Sequence, residues 1–144
     1  MPDKMKEILE LYQDNNFLIR LYIRIKLKIC PLIQMETIFP REGKIIDLGC
    51  GNGLFPNILK LKSTNRKITG IDLDYKKIRI AKKTQKDRSA IKFQTGNIVA
   101  MNYPVSDIIS LIDVLYLIPF ETQEIIFLSK LFRESGKYDV PFNS

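Results

Sequence analysis

The sequence contains no histidine and no tryptophan, and its 144 residues include only two cysteines, Cys30 and Cys50. Without histidine the chain cannot use imidazole as an acid or base, and it cannot build a Cys/His metal site. Two cysteines are too few for a disulfide framework, so we expect both thiols to be reduced. These absences exclude many classes of hydrolase and metalloenzyme.

Long apolar runs are absent as well. The most apolar candidate, residues 17–30, contains four basic side chains, so no stretch reaches the roughly 18 uninterrupted apolar residues of a membrane span. A signal peptide is not predicted either, because charged residues stand at positions 3, 4, 6 and 7, where its apolar centre would begin. Because 45% of the residues are apolar, we expect one domain with a real core. Since neither a membrane span nor a signal peptide is predicted, we expect the protein in the cytoplasm.

The net charge of +7 is concentrated in one part of the chain. Residues 60–92 hold twelve Lys or Arg against three Asp or Glu, which is the kind of cluster that binds nucleic acid. Only Tyr75 and Phe93 are available there to stack on bases. We therefore interpret the cluster as a solvated helix face, and nucleic acid is not an expected partner.

The first 39 residues are predicted to form a helical segment that packs on the rest of the chain, residues 40–144. Apolar residues at helical spacing predict a helix over 4–12, and a further short helix is predicted over 32–39. Residues 17–30 alternate like a strand but also carry Arg20, Arg24 and Lys28 four apart, and we predict a helix that ends before Pro31. This basic helix would pack on the sheet, flank a substrate pocket or lie on a membrane surface.

From residue 44 onward, short apolar strands alternate with helical patterns. Strands are predicted over 44–48, 68–73, 91–94 and 107–113. A helix is predicted directly after the first strand, another over 75–86 after the second strand, and a third over 120–134 after the fourth strand. Asn52 is predicted to cap the helix after the first strand, in which Ile58, Leu59 and Leu61 would be buried. This alternation predicts an α/β protein with a doubly wound, mostly parallel sheet.

Three glycines at alternate positions, Gly49, Gly51 and Gly53, connect the first strand to its helix. Such a turn brings bare backbone close to a ligand, and the helix N-terminus adds unpaired N–H donors. Asp72, Asn97 and Asp113 end or follow the next three predicted strands. Because the carboxyl ends of parallel strands lie at one edge, the sequence predicts a binding site where these residues converge.

These residues resemble the motifs of the class I S-adenosylmethionine-dependent methyltransferases. The resemblance rests on Asp47-Leu48-Gly49-Cys50-Gly51-Asn52-Gly53, Gly70-Ile71-Asp72-Leu73-Asp74, Phe93-Gln94-Thr95-Gly96-Asn97-Ile98 and Asp113-Val114-Leu115-Tyr116. It covers roughly residues 40–136. The resemblance implies a Rossmann-like core, S-adenosyl-L-methionine as cofactor, and methyl transfer to an acceptor that we expect to be a small or lipid-like molecule.

The resemblance also implies roles for individual residues. The turn, including Cys50, would approach the methionine part of the cofactor, with Asp47 shaping the loop and reaching its amino group through water. Asp72 would hold the ribose hydroxyls and Leu73 would cover the adenine. Asn97 and the N–H of Ile98 would bind the adenine ring, and Asp113 would lie near the methionine end. No catalytic residue and no metal ligand is assigned.

Each of these residues also has a purely structural interpretation. Asp72 and Asp113 are common helix caps, Asn97 is a common turn former, and Cys50 is a small residue that no nearby base would activate. A dinucleotide-binding protein is the nearest rival among ligand-binding folds. Its Gly-x-Gly-x-x-Gly pattern would require a third glycine where Leu54 or Pro56 stands, so the spacing favours the methyltransferase.

Relatives of this family carry three further strands, and the sequence leaves room after the fourth strand for at most a short fifth, over 138–140. The fourth strand would then be an apolar strand at the edge of the sheet, which soluble proteins avoid unless another strand pairs with it or another segment covers it. We therefore also consider a truncated, non-catalytic binding or interaction module, and a homodimer that pairs through this edge.

Overall fold

The computed structural model describes residues 2–85 and 91–112, all of which fall within one compact unit, Met1–Ile112. The helices are α1 (Pro2–Glu10), α2 (Phe17–Ile29), α3 (Leu32–Met35), α4 (Leu54–Lys62) and α5 (Tyr75–Lys83), and a 3-10 turn at Glu36–Ile38 follows α3. The strands are β1 (Gly43–Leu48), β2 (Arg66–Asp72), β3 (Ile91–Thr95) and β4 (Ile108–Leu111).

The four strands form one parallel sheet in the order β3-β2-β1-β4. In the register of the sheet, Asp47 of β1 lies between Gly70 of β2 and Ser110 of β4. Parallel pairing of consecutive strands requires the crossover helices that α4 and α5 supply. The predicted α/β fold is confirmed, and its strand order places the ends of β1 and β2 side by side.

Helix α2 confirms the helical interpretation of the alternating segment. The Asn16 side chain caps its first turn by accepting the Ile19 N–H at 3.0 Å, and the helix ends at Ile29, with Cys30 as its C-cap and Pro31 directly after it. Ile23 and Leu27 of α2 join a single buried cluster with residues of α1, α4 and the strands. The N-terminal helices therefore share the apolar core of the sheet.

A buried ion pair connects the N-terminal segment to the start of β2. Arg66 is completely buried, and its Nη1 lies 2.6 Å from the Glu36 carboxylate. The same guanidinium donates to the carbonyl oxygens of Pro40, Leu59 and Phe39 at 2.7, 2.7 and 3.1 Å. A buried charge is tolerated only when it is paired and hydrogen-bonded in this way.

Two predictions about α4 are wrong. Asn52 does not cap this helix: the N-cap residue is Gly53, in a left-handed conformation with φ +79°, and no side-chain capping bond is present. Leu61 is exposed, and the buried face of α4 includes Phe55, Ile58 and Leu59 instead. The turn places the helix start one residue later than the capping pattern indicates.

Several predictions concern residues outside the described ranges. These are Asp113, the helix over 120–134, the short strand over 138–140 and the end of the helix predicted over 75–86. Within the described ranges, no helix is long and apolar enough to cross a bilayer.

Candidate functional site

The turn between β1 and α4 depends on glycine because its backbone is left-handed at three alternate positions. Gly49, Gly51 and Gly53 have φ values of +73°, +55° and +79°, which side-chain-bearing residues rarely adopt. The N–H groups of Gly49 and Cys50 both donate to the Ile71 carbonyl, at 2.7 and 3.0 Å. The turn is therefore fixed against the end of the neighbouring strand β2.

Gly53 lies against the core. A Cβ atom at this position would lie 2.7 Å from Cζ of Phe93 and 2.8 Å from Cβ of Ala81. Both distances are far shorter than van der Waals contact. Glycine is therefore required here by packing as well as by backbone conformation.

Gly51 has the opposite surroundings. A Cβ atom here would meet no atom within 4 Å, so the backbone at this position faces open space. Its N–H donates to Oδ2 of Asp72 at 2.8 Å. The turn thus presents open backbone directly beside a carboxylate.

Asp72 ends β2, and both of its carboxylate oxygens accept backbone N–H groups. Oδ2 accepts from Gly51, and Oδ1 accepts from Asp74 at 2.8 Å. The α5 cap is Asp74, whose side chain accepts from Lys76 and Lys77, so the structural interpretation of Asp72 as a helix cap is wrong. Each oxygen of Asp72 keeps a second lone pair, and the half-buried carboxylate can accept further hydrogen bonds from a ligand.

Asp47 is a buried carboxylate at the end of β1, with 3% of its surface exposed. Burial raises the pKa of Asp47 to about 7, and the nearby Asp72 charge adds to this rise, whereas a hydrogen bond from Ser110 opposes it. The Ser110 hydroxyl donates to Oδ1 of Asp47 at 2.6 Å. This carboxyl group therefore exchanges its proton near neutral pH.

Cys50 is buried beside these carboxylates. Burial, followed by the charges of Asp47 and Asp72, raises the pKa of the Cys50 thiol well above its usual range. Its sulfur lies 3.0 Å from the position that a Cβ atom on Gly70 would occupy. The thiol is protonated and closely packed, which agrees with the expectation that Cys50 is a small residue and not a nucleophile.

The remaining predicted site residues follow β2 and β3. Leu73 is 71% exposed although it is apolar, so its side chain is available to cover a ligand. The Asn97 side chain is exposed and accepts the Val99 N–H at 3.0 Å, as a turn-forming residue does, and Ile98 is half-buried beside it. The Gly96 N–H donates to the Asp72 carbonyl at 3.0 Å, which holds this loop next to the end of β2.

The sequence did not identify two groups of polar residues that support the turn. The first is Ser110 alone. Its hydroxyl is the single polar side-chain group in the apolar strand Ile108–Leu111, and this is the feature of the sequence that could have identified it. The other is a buried network below the turn, for which no sequence signal exists because its members come from three separate segments. It comprises Tyr12, Asn57, Thr84 and Gln85.

Tyr12 connects this network to the turn itself. Its hydroxyl donates to the Asn52 carbonyl at 3.0 Å and accepts from Nδ2 of Asn57 at 3.1 Å. Burial raises the pKa of Tyr12 well above its usual range, so the hydroxyl remains a donor. Oδ1 of Asn52 is buried and has no hydrogen-bond partner among the described residues.

Together these features form a site that suits a ligand with hydroxyl groups and positive charge. The half-buried carboxylate of Asp72 can accept further hydrogen bonds, and the backbone of Gly51 beside it faces open space. The buried carboxyl of Asp47 lies below and titrates near neutral pH. No group of three or more acidic, histidine or cysteine side chains that could hold a metal occurs in residues 2–85 and 91–112.

A family model described as a methyltransferase domain matches residues 41–139, which is more than half of the chain. No protein of curated function matches the sequence.

Several solved structures share the fold. A TehB-like SAM-dependent methyltransferase from Corynebacterium glutamicum is 22% identical, with a TM-score of 0.59 over 76% of this chain and 61% of that one. TehB from Haemophilus influenzae is 24% identical, with a TM-score of 0.59 over 69% of this chain and 35% of that one. A cyclopropane-fatty-acyl-phospholipid synthase-like protein from Lactobacillus casei is 14% identical, with a TM-score of 0.71 over 92% and 54%. The chain thus spans about one third to three fifths of the length of these structures.

Proposed function

The chain belongs to the class I S-adenosylmethionine-dependent methyltransferase family, whose cofactor is S-adenosyl-L-methionine, and from this membership we propose that it transfers a methyl group to a small-molecule or lipid-like acceptor. The observation that carries the proposal is the open backbone of Gly51 beside the Asp72 carboxylate. A nucleoside with a cationic substituent provides the donors and the positive charge that this site lacks.

We assign the binding roles as follows. Asp72 accepts hydrogen bonds from the ribose hydroxyls while its bond to the Gly51 N–H holds the turn in place. Leu73, Asn97 and Ile98 border the adenine, and Asp47 supplies negative charge toward the amino group when it is ionised. The backbone of Gly49, Cys50 and Gly51 borders the space that the methionine part occupies, and Gly53 holds this turn against the core. Asp113, which lies outside the described residues, is assigned to the methionine end.

The cofactor, when bound, supplies a methyl carbon that is already electrophilic, so the protein contributes mainly binding and alignment. A catalytic base is not required for an acceptor that is nucleophilic at neutral pH. We therefore assign no catalytic residue. The residues described above bind and orient, and the packed side of the turn excludes water.

A lipid-like or otherwise apolar acceptor is supported by the exposed apolar residues of the N-terminal helix α2, including Leu18 and Ile25. Homodimerisation through β4 is a further proposal. It is supported by the pairing of β4 with β1 alone among the described strands, and β4 is apolar apart from Ser110. A sedimentation mass that corresponds to a monomer at all concentrations would contradict it.

Cofactor binding is tested by calorimetry and thermal shift with S-adenosylmethionine and its demethylated product. We expect Asp72→Ala to weaken binding by about tenfold or more, because hydrogen bonds to a charged group contribute roughly 1.5–3 kcal/mol. Asp74→Ala is the matched control: it removes the α5 cap two residues away and should lower stability by about 1 kcal/mol while sparing affinity. No heat and no thermal shift with either compound in the wild-type protein would refute the proposal.

Turnover is tested separately, by methyl transfer from labelled cofactor into crude small-molecule and lipid fractions. Label in an extractable product supports the enzyme and identifies the class of acceptor. Cofactor binding without label in any fraction would instead support the alternative, a non-catalytic binding or interaction module.

A further inference from the structure

Helix α2 exposes a stripe of large apolar side chains along one face. Leu18, Tyr22, Ile25 and Ile29 are spaced four, three and four residues apart, which places them in line over about 16 Å of the helix. Leu18 and Ile29 are 72% and 75% exposed, and Tyr22 and Ile25 are about half exposed. Ile23 and Leu27 on the opposite face are buried in the core, so this helix is apolar on two sides.

Basic residues flank the exposed stripe. Arg20, Arg24 and Lys28 are exposed and spaced four residues apart, which places them in a parallel row about a third of a turn around the helix from the apolar one, with the exposed Leu21 between the two rows. The sequence of α2, Phe17–Ile29, contains no acidic residue. At the base of this row, Arg20 and Arg24 border a surface crevice together with Lys6, and Glu10 is the single acid among the side chains that line it.

We propose that α2 docks this protein onto an anionic lipid bilayer. An exposed apolar stripe bordered by Arg and Lys is the arrangement by which helices lie in the plane of a membrane interface, with the apolar side chains in the acyl boundary and the cations among the phosphates. The charge complementarity selects an anionic surface. The face belongs to α2 and not to the glycine turn, so vesicle binding tests this inference without any measurement of methyl transfer.

Sedimentation with vesicles tests the inference. Vesicles of phosphatidylcholine alone are compared with vesicles of phosphatidylcholine and phosphatidylglycerol in equal amounts. Each of the three cations contributes about fivefold near an anionic surface, so we expect binding to the anionic vesicles to be stronger by on the order of 100-fold. Raising the salt concentration should reduce this difference.

Variants separate the apolar and the electrostatic contributions. Ile25→Glu combined with Ile29→Glu should abolish sedimentation with both kinds of vesicle, whereas Arg20→Gln combined with Arg24→Gln should weaken only the binding to anionic vesicles, by roughly 25-fold. Val105→Glu is the matched control, because Val105 is 84% exposed in the loop before β4 and lies outside α2. It should sediment like the wild-type protein. Thermal unfolding of each variant verifies that it is folded.

Three results would overturn the inference. Wild-type protein that does not sediment with anionic vesicles excludes a membrane surface as the partner. Equal sedimentation of the wild type and the Ile25→Glu/Ile29→Glu variant excludes α2 as the contact. A wild-type dimer that the same variant converts to a monomer would assign this face to a second copy of the chain instead.

Discussion

Near the glycine turn, one glycine and one aspartate are buried, whereas another glycine and another aspartate are only half-buried. Gly53 and Asp47, the buried pair, are enclosed by the core, whereas Gly51 and Asp72, the open pair, are half-buried and hydrogen-bonded to each other. The buried pair interacts with Phe93 and Ser110, which belong to the scaffold. From this difference we propose that Gly53 serves mainly the stability of the turn and that the open pair serves mainly ligand binding.

Gly53→Ala is expected to have the largest effect and to act on stability. The added methyl group would overlap Phe93 and Ala81, and the left-handed backbone disfavours any side chain, so we expect a loss of about 3 kcal/mol or more in the free energy of unfolding. Chemical denaturation measures this loss. Unchanged stability would mean that the turn is not held against the core.

Asp47→Asn is expected to remove a pH dependence of stability. Because the pKa of Asp47 is raised to about 7, the folded protein keeps a proton that the unfolded chain releases near pH 4. This contribution to stability is complete below about pH 4 and is lost as the pH rises to about 7, with a slope of up to about 1.4 kcal/mol per pH unit. Denaturation of both proteins at several pH values measures the difference, and parallel curves would contradict the prediction.

Tyr12→Phe tests whether the buried network supports the open pair from below. The substitution leaves the Asn52 carbonyl without its donor and Asn57 without one acceptor, and we expect a loss of about 1–3 kcal/mol of stability. Because Asn52 lies between Gly51 and Gly53, cofactor affinity should fall as well. Calorimetry that shows full affinity in the folded variant would limit Tyr12 to a role in stability.

Gly51→Ala is expected to have the smallest effect on stability, about 1 kcal/mol, because only the backbone conformation opposes the substitution and no atom lies in the way. The methyl group would occupy space that we assign to the cofactor. We therefore expect affinity for S-adenosylmethionine to fall by about tenfold while the apo protein stays folded. Equal losses of stability in Gly51→Ala and Gly53→Ala would contradict the prediction that Gly53 is packed against the core and Gly51 is not.

The sequence was sufficient to predict the sheet and the position of the turn. β1 and β4 contain short, mostly apolar runs, as strands covered on both faces do, and three alternate glycines after such a strand have few other uses. The end of β2 was predicted to within one residue, at Leu73 instead of Asp72. Local patterns of this kind specify elements and their order.

The sequence was not sufficient to predict contacts that join distant segments. The hydroxyl of Tyr12 meets a carbonyl 40 residues away, and a helical apolar pattern predicts burial of this ring but no polar partner. The Asn52 cap was wrong because a positive φ at Gly53 shifts the helix start, and φ cannot be read from a capping pattern. Which glycine is packed and which is open also depends on Phe93, which lies 40 residues beyond Gly53.

The ion pair between Arg66 and Glu36 has a consequence for how the chain opens. If the first 38 residues detached, the buried Arg66 guanidinium would lose its carboxylate and keep an unpaired charge, so partial unfolding of this segment is strongly disfavoured. Amide hydrogens of α3 and of β2 should therefore exchange with solvent in one cooperative event. The helices that precede the sheet then behave as part of a single folding unit and not as a detachable cover.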